Sequence, residues 1–110
     1  MSVEITYIPG ENRLDLSFEG NLDVSVWQDV CDTCRDAPSE VTSCIVDLTG
    51  VERVFDSGVA MLGVLYKRLR MLGATVIFLS DDSEIKRRIS AVASPRWHNP
   101  AKLTGALPAG

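Results

Sequence analysis

Hydrophobic and polar positions along the chain change period several times, and each change marks an element. In residues 13–19, Leu14, Leu16 and Phe18 alternate with Asp15, Ser17 and Glu19, the two-residue period of a half-buried strand. Residues 3–8 form a shorter strand signal before it. Pro9-Gly10-Glu11-Asn12 between them is turn chemistry, which predicts an antiparallel hairpin. Gly20-Asn21-Leu22-Asp23 is expected to break the second strand. From 24 to 37 the period turns helical, with Trp27, Val30, Cys31 and Cys34 on one face. Pro38 closes that helix. Residues 43–48 contain the run Cys44-Ile45-Val46, which suits a central strand covered on both faces, and 49–56 read as a loop.

The longest helix is predicted over 57–72, with Val59, Leu62, Leu65, Leu69 and Leu72 among its apolar positions and Gly73 as its left-handed cap. Residues 75–79 are a second β-rich run. Asp81 and Glu84 have capping-box spacing at the start of a last helix, which carries Ile85, Ile89 and Val92 and ends before Pro95. The order β-β-α-β-α-β-α places helices between the later strands. Those strands should then be parallel, joined by right-handed crossovers. The prediction is a small α/β domain over residues 1–94: a mixed, mostly parallel sheet with helices packed on it and an antiparallel edge hairpin. Residues 95–110 are expected to be an irregular tail.

Composition narrows the function classes. The chain has 110 residues, 45% hydrophobic and 24% charged, enough for one domain with its own core. Eleven basic against 15 acidic residues leave a net charge of -4. An acidic surface argues against nucleic acid and anionic membrane as partners. The longest apolar run, near 58–65, is far short of the roughly 20 residues a membrane span needs, so no direct membrane insertion is expected. The start Met-Ser-Val-Glu-Ile has no signal-peptide pattern, and three cysteines cannot all pair, which points to a reducing cytoplasm.

In a parallel sheet, ligands gather where the strands end at their carboxyl edge. Loops 20–23, 49–56 and 80–83 belong there, and each leads into a helix. They carry Asp23, Asp56, Asp81 and Asp82, with Glu84 following.

Enzyme chemistry finds little support. Cys31-Asp32-Thr33-Cys34 has Cys-x-x-Cys spacing, but it lies deep in a helix on the Trp27 face, where small core residues are the expected reading. Zinc would need four ligands, and Cys44 and the single His98 lie elsewhere. Gly58 and Gly63 are followed by Val64 and Leu65 where a phosphate loop needs Lys and Ser or Thr. Phe55 and Val59 occupy the glycine positions of a nucleophile elbow around Ser57. No catalytic residue, metal or cofactor is therefore expected. Lys67, Arg68 and Arg70, and Lys86, Arg87 and Arg88, read as solvated helix faces. Asp56-Ser57-Gly58 stands out. A helix cap accounts for Asp56 or Ser57, but Gly58 costs the helix about 0.5–1 kcal/mol relative to Ala. It is read here as leaving the backbone open to a partner's close approach.

Together these stretches resemble the STAS domain, the family of bacterial anti-sigma factor antagonists and of the cytoplasmic domains of sulfate transporters. Gly20-Asn21-Leu22-Asp23 resembles its Gly-x-Leu-Asp. Ile45-Val46-Asp47-Leu48-Thr49-Gly50-Val51 resembles its central strand and loop. Phe55-Asp56-Ser57-Gly58-Val59-Ala60-Met61-Leu62 resembles its Asp-Ser-Ser-Gly-Leu-Gly signature, and Leu72-Gly73-Ala74-Thr75-Val76 its helix end and next strand. The resemblance implies a regulatory interaction module that binds an anti-sigma factor/serine kinase-type ATPase, with a phosphatase as a further partner. It implies phosphorylation in the signature and a partner surface at Asp23, Asp56, Ser57, Gly58 and Asp81. Aligned without gaps, Asp56 falls on the family's phosphorylated serine. Aligned on Asp-Ser, Ser57 does. Ser57 is the only hydroxyl in the signature either way, and so the candidate phosphorylation site. A carboxylate at 56 carries about one negative charge where phosphoserine carries about 1.5 to 2, which suggests a form fixed in one state. The alternative implied function is a non-switching adaptor subunit of a membrane transport complex.

Overall fold

The computed structural model describes residues 1–37 and 39–100. Five strands and three helices follow in the order β1 (Ser2–Ile8), β2 (Arg13–Leu22), α1 (Trp27–Asp36), β3 (Ser43–Val54), α2 (Asp56–Met71), β4 (Thr75–Leu79), α3 (Ser83–Ile89) and β5 (Arg96–His98). The sheet has the spatial order β1-β2-β3-β4-β5. β1 runs antiparallel to β2, and every later pair is parallel. The predicted mixed α/β architecture with an antiparallel edge hairpin is the one observed.

The alternation read from the sequence decides which face is buried. Leu14, Leu16, Phe18 and Leu22 on β2, Cys44, Val46 and Leu48 on β3, and Val76 and Phe78 on β4 form one cluster. Val30 of α1, Met61, Leu62, Leu65 and Leu69 of α2, and Ile85 and Ile89 of α3 close it from above. Burying an aliphatic or aromatic side chain of this kind contributes about 1.5–3 kcal/mol. This one face of the sheet therefore holds the domain together.

The structure departs from the sequence expectation at four places. Residues 20–22 and 49–54 do not break the strands, and β2 ends only before Asp23. β2 continues to Leu22 and β3 to Val54, pairing Glu19 with Gly50 and Leu22 with Val54 across two register shifts. A glycine lacks a side chain to pack but still donates and accepts in the ladder, so pairing outweighs its weak strand preference. Secondly, among the described residues β3 is not covered by helices on both faces. Ile45, although 5% exposed, lies outside the helix-side cluster. With Asp15, Ser17, Asp47 and Leu79 it lines an open groove of about 260 Å³ on the opposite face.

Thirdly, α3 is capped by Asp82 rather than Asp81. The Asp82 carboxylate accepts from the N–H groups of Glu84 (2.9 Å) and Ile85 (3.0 Å). That helix ends at Ile89, leaving Val92 beyond it and 47% exposed. Asp82→Ala is expected to cost about 1 kcal/mol, while Asp81→Ala leaves stability unchanged, as urea midpoints would show. Lastly, the segment after Pro95 is not irregular throughout. Arg96–His98 is a fifth strand, paired with β4, and Trp97 meets Phe78 edge to face at 5.4 Å. Three residues are too few to display a period, which is why the pattern did not reveal it. Residues 101–110 of the expected tail lie outside the described ones. Gly73 takes the predicted left-handed conformation (φ 86°) after α2.

Candidate functional site at the carboxyl edge of the sheet

β2, β3 and β4 are parallel neighbours, so Leu22, Val54 and Leu79 end on one edge. Asp23, the Asp56-Ser57 turn and Asp81 follow those ends directly. The fold thus brings these sequence-predicted positions to one side, in the order of their strands. Asp23 accepts a 2.8 Å hydrogen bond from the Ser25 N–H, and its bonds with Ser25 hold its carboxyl below the ordinary range. It is anionic at neutral pH. Asp81 is exposed beside the capping Asp82.

The centre of the edge is the start of α2. Phe55 stands at its cap in extended conformation and supplies no side-chain bond. Its N–H donates to the carbonyl of Leu22 (2.9 Å), which ties the end of β2 to the start of the helix. Its own carbonyl accepts from Gly58 (2.9 Å) and Val59 (3.0 Å). Asp56 and Ser57 occupy the first two helical positions, both exposed, and Phe55 beside them is 46% exposed. A negative charge is favoured here by the helix dipole.

Gly58 overturns its sequence reading. It is buried, and the backbone that approaches it is the chain's own. A Cβ built there would overlap the Leu22 carbonyl oxygen and lie 2.5 Å from its carbon. Gly58 is therefore the seat of β2 against α2, and the Leu22 carbonyl accounts for the glycine.

Arg88 is the site residue that sequence reasoning missed. One guanidinium nitrogen donates to Asp56 Oδ1 at 2.6 Å and the other to the Val54 carbonyl. The clamp joins the end of β3 and the first residue of α2 to α3. Its side chain is only 26% exposed, unlike a solvated helix face. No spacing rule links positions 56 and 88, since only the folded chain brings α3 beside the start of α2. Asp56 is fully exposed on its outer side, so the pair contributes at most about 1 kcal/mol. Its larger effect is to fix where the Asp56 charge sits. Val59, Ala60, Ala91 and Val92, with Arg87 and Arg88 at the rim, line an adjoining groove of about 370 Å³.

The other candidate chemistry lies away from this edge. Cys31 and Cys34 are half-buried between α1 and the end of α2, and Cys44 is buried in the core. Burial pushes the Cys34 and Cys44 thiols up, the opposite of an activated thiolate. Arg68, read as part of a solvated face, lies over the Trp27 ring at 5.3 Å and donates to Cys31 Sγ. Among the described residues no group of three or more His, Cys, Asp or Glu gathers to hold a metal, and no helix is long and apolar enough to cross a membrane.

No family model matches the chain, and no curated protein does. Solved structures do match. The anti-sigma factor antagonist SpoIIAA in its unphosphorylated form superposes with a TM-score of 0.72 at 15% identity, covering 96% of this chain and 94% of that one. A serine-to-glutamate variant of Moorella thermoacetica RsbS gives 0.74 at 14% identity, covering 96% and 97%. SpoIIAA of Bacillus, a cell fate determinant, in its phosphorylated form gives 0.66 at 10% identity, covering 97% and 100%. The class follows from these matches and the topology: this chain has the STAS fold. Within that class, the proteins it superposes on include anti-sigma factor antagonists over nearly their whole length.

Proposed function

We propose that the chain is a cytoplasmic regulatory interaction module of the anti-sigma-antagonist kind, without enzymatic activity of its own. Its carboxyl edge, with Asp23, Asp56, Ser57 and Asp81, binds a serine kinase-type ATPase that acts as an anti-sigma factor. The single observation that carries this reading is the open first turn of α2. Ser57 is exposed there, next to an uncapped helix start and an exposed Phe55, at the end of the central strand. A phosphate on Ser57 meets the favourable end of the helix dipole and changes the charge of the surface the partner sees. Removing that phosphate is work for a phosphatase partner.

The Asp56–Arg88 pair favours a second reading, in which the surface does not switch. Asp56 is charged without modification and held in place by Arg88, and it would crowd a phosphate on Ser57. A permanently charged edge of this kind suits an adaptor, such as a STAS subunit of a membrane transport complex.

The kinase-type ATPase encoded nearest this chain, incubated with it and ATP, separates the readings. The regulatory module predicts a complex and one phosphate, mapped to Ser57 by mass spectrometry and absent from Ser57→Ala. The phosphorylated form should bind about tenfold more weakly, because a bulky dianion replaces the small hydroxyl that the unmodified complex covers. Binding without phosphate identifies the fixed form. Absence of any complex, together with recovery of a transporter in pull-downs, establishes the adaptor instead.

A further inference from the structure

The face of the sheet opposite the helices is uncovered among the described residues. Sheets of parallel strands are found with both faces covered, because their strands are apolar on both sides. Here β2 to β5 are parallel, and α1, α2 and α3 all pack on one face. The other face has an apolar centre in Ile45, Ile77 and Leu79 beside the 260 Å³ groove.

Glu4 and Asp47 also line the groove, Asp47 accepting from the Thr49 N–H and hydroxyl, and the remaining charge on this face is divided by position. The register sets Asp15, Ile45, Ile77 and Arg96 in one row across the sheet. At the β2 end, Arg13 is shared between Glu11 (2.7 Å) and Asp15 (2.9 Å). Two carboxylates against one guanidinium leave that end negative. At the β5 end, Arg96 is exposed and makes no ion pair among the described residues. The row reads acid, apolar, apolar, base. A row of this kind is complementary to itself when turned over.

We propose that this face is the contact surface for a second copy of the chain. A two-fold axis parallel to the strands, lying midway between the two stacked sheets over the gap between β3 and β4, lays row upon row. Ile45 then meets the second copy's Ile77, and Arg96 meets the second copy's Asp15, each contact occurring twice as isologous symmetry requires. An in-plane axis across the strands would set like edge on like edge, which electrostatics disfavours. The arrangement is an aligned two-sheet packing with the layers about 10 Å apart. It leaves the carboxyl edge free, since that edge borders the face rather than lying in it.

Sedimentation velocity of the full chain over a range of concentrations tests this, with circular dichroism confirming that each variant is folded. The wild type should dimerise reversibly. Arg96→Glu should weaken the dimer by about tenfold or more, because two attractive contacts become repulsive. Adding Asp15→Arg to that variant should restore dimerisation. A wild type that stays monomeric, a dimer indifferent to Arg96→Glu, or a loss that Asp15→Arg does not rescue would each overturn the proposal. So would a chain that dimerises only after residues 101–110 are deleted, since that result assigns the face to the chain's own end.

Discussion

Gly58→Ala is expected to destabilise the protein by more than about 3 kcal/mol, although alanine is the better helix former by about 1 kcal/mol. The added methyl would overlap the Leu22 carbonyl oxygen, lie 2.5 Å from the carbonyl carbon and 2.8 Å from Leu22 Cγ. A side chain can rotate away, but a backbone carbonyl cannot. That carbonyl also accepts the Phe55 N–H that ties β2 to the start of α2. Relief requires the helix start to move off the strand end, breaking that bond and opening the core around Leu22, which is fully buried. Gly63→Ala supplies the control on the same helix. Its methyl would meet Val92 side-chain atoms at 3.1 and 3.2 Å, on an exposed residue beyond α3 that can give way. Helix propensity should then offset the contact, leaving stability within about 1 kcal/mol of wild type. Urea unfolding of both variants checks the pair, and equal midpoints would refute the close-approach account.

That contrast shows why part of the site was legible and part was not. The cost of a glycine in a first helical turn was visible in sequence, and it correctly marked Gly58 as constrained. What constrained it was not visible, because Leu22 lies 36 positions away in the chain and meets it only when β2 and α2 pack. The same limit applies to Arg88. Its neighbours Lys86 and Arg87 made it look like one more solvated charge, yet its chain position lets it reach across to Val54 and Asp56. Periodicity carried the fold well where elements were long and one-sided. β2 came through by its alternation, since a period of two over several residues is a direct imprint of burial, and β4 by its run of β-branched and aromatic residues. It failed at 49–54, where Gly50 and polar residues hide a strand held by its ladder to β2. It also failed at β5, where three residues hold no period at all. Asp23, Asp56, Ser57 and Asp81 could be placed at one edge because strand direction follows from connectivity alone.

Phe78→Ala is the substitution expected to remove the most stability, about 3–5 kcal/mol, through lost burial and the cavity left behind. Phe78 is fully buried in the middle of β4. Its ring meets Tyr66 of α2 at 6.3 Å and Trp97 of β5 at 5.4 Å, both edge to face. It thus joins the helix layer to the last strand of the sheet. For a domain of this size, 3–5 kcal/mol corresponds to roughly 15–30 °C in melting temperature. Loss should not be uniform across the molecule. β2 and β3 keep their long ladder, whereas β5 pairs through three residues and is anchored by Trp97 against Phe78. Hydrogen exchange should accordingly rise first at Ser80, whose N–H donates to the His98 carbonyl at 3.2 Å. Phe78→Leu keeps apolar contact but loses both ring edges, each worth about 0.5–1.5 kcal/mol. It should leave a folded protein with a loosened β5. In that variant the carboxyl edge stays intact, because Asp56, Arg88 and Val54 do not depend on β5. The open sheet face should suffer instead, because Arg96 rides on the loosened strand. A Phe78→Leu protein whose Ser80 amide stays as protected as in wild type would show that β5 is held by something other than this aromatic contact.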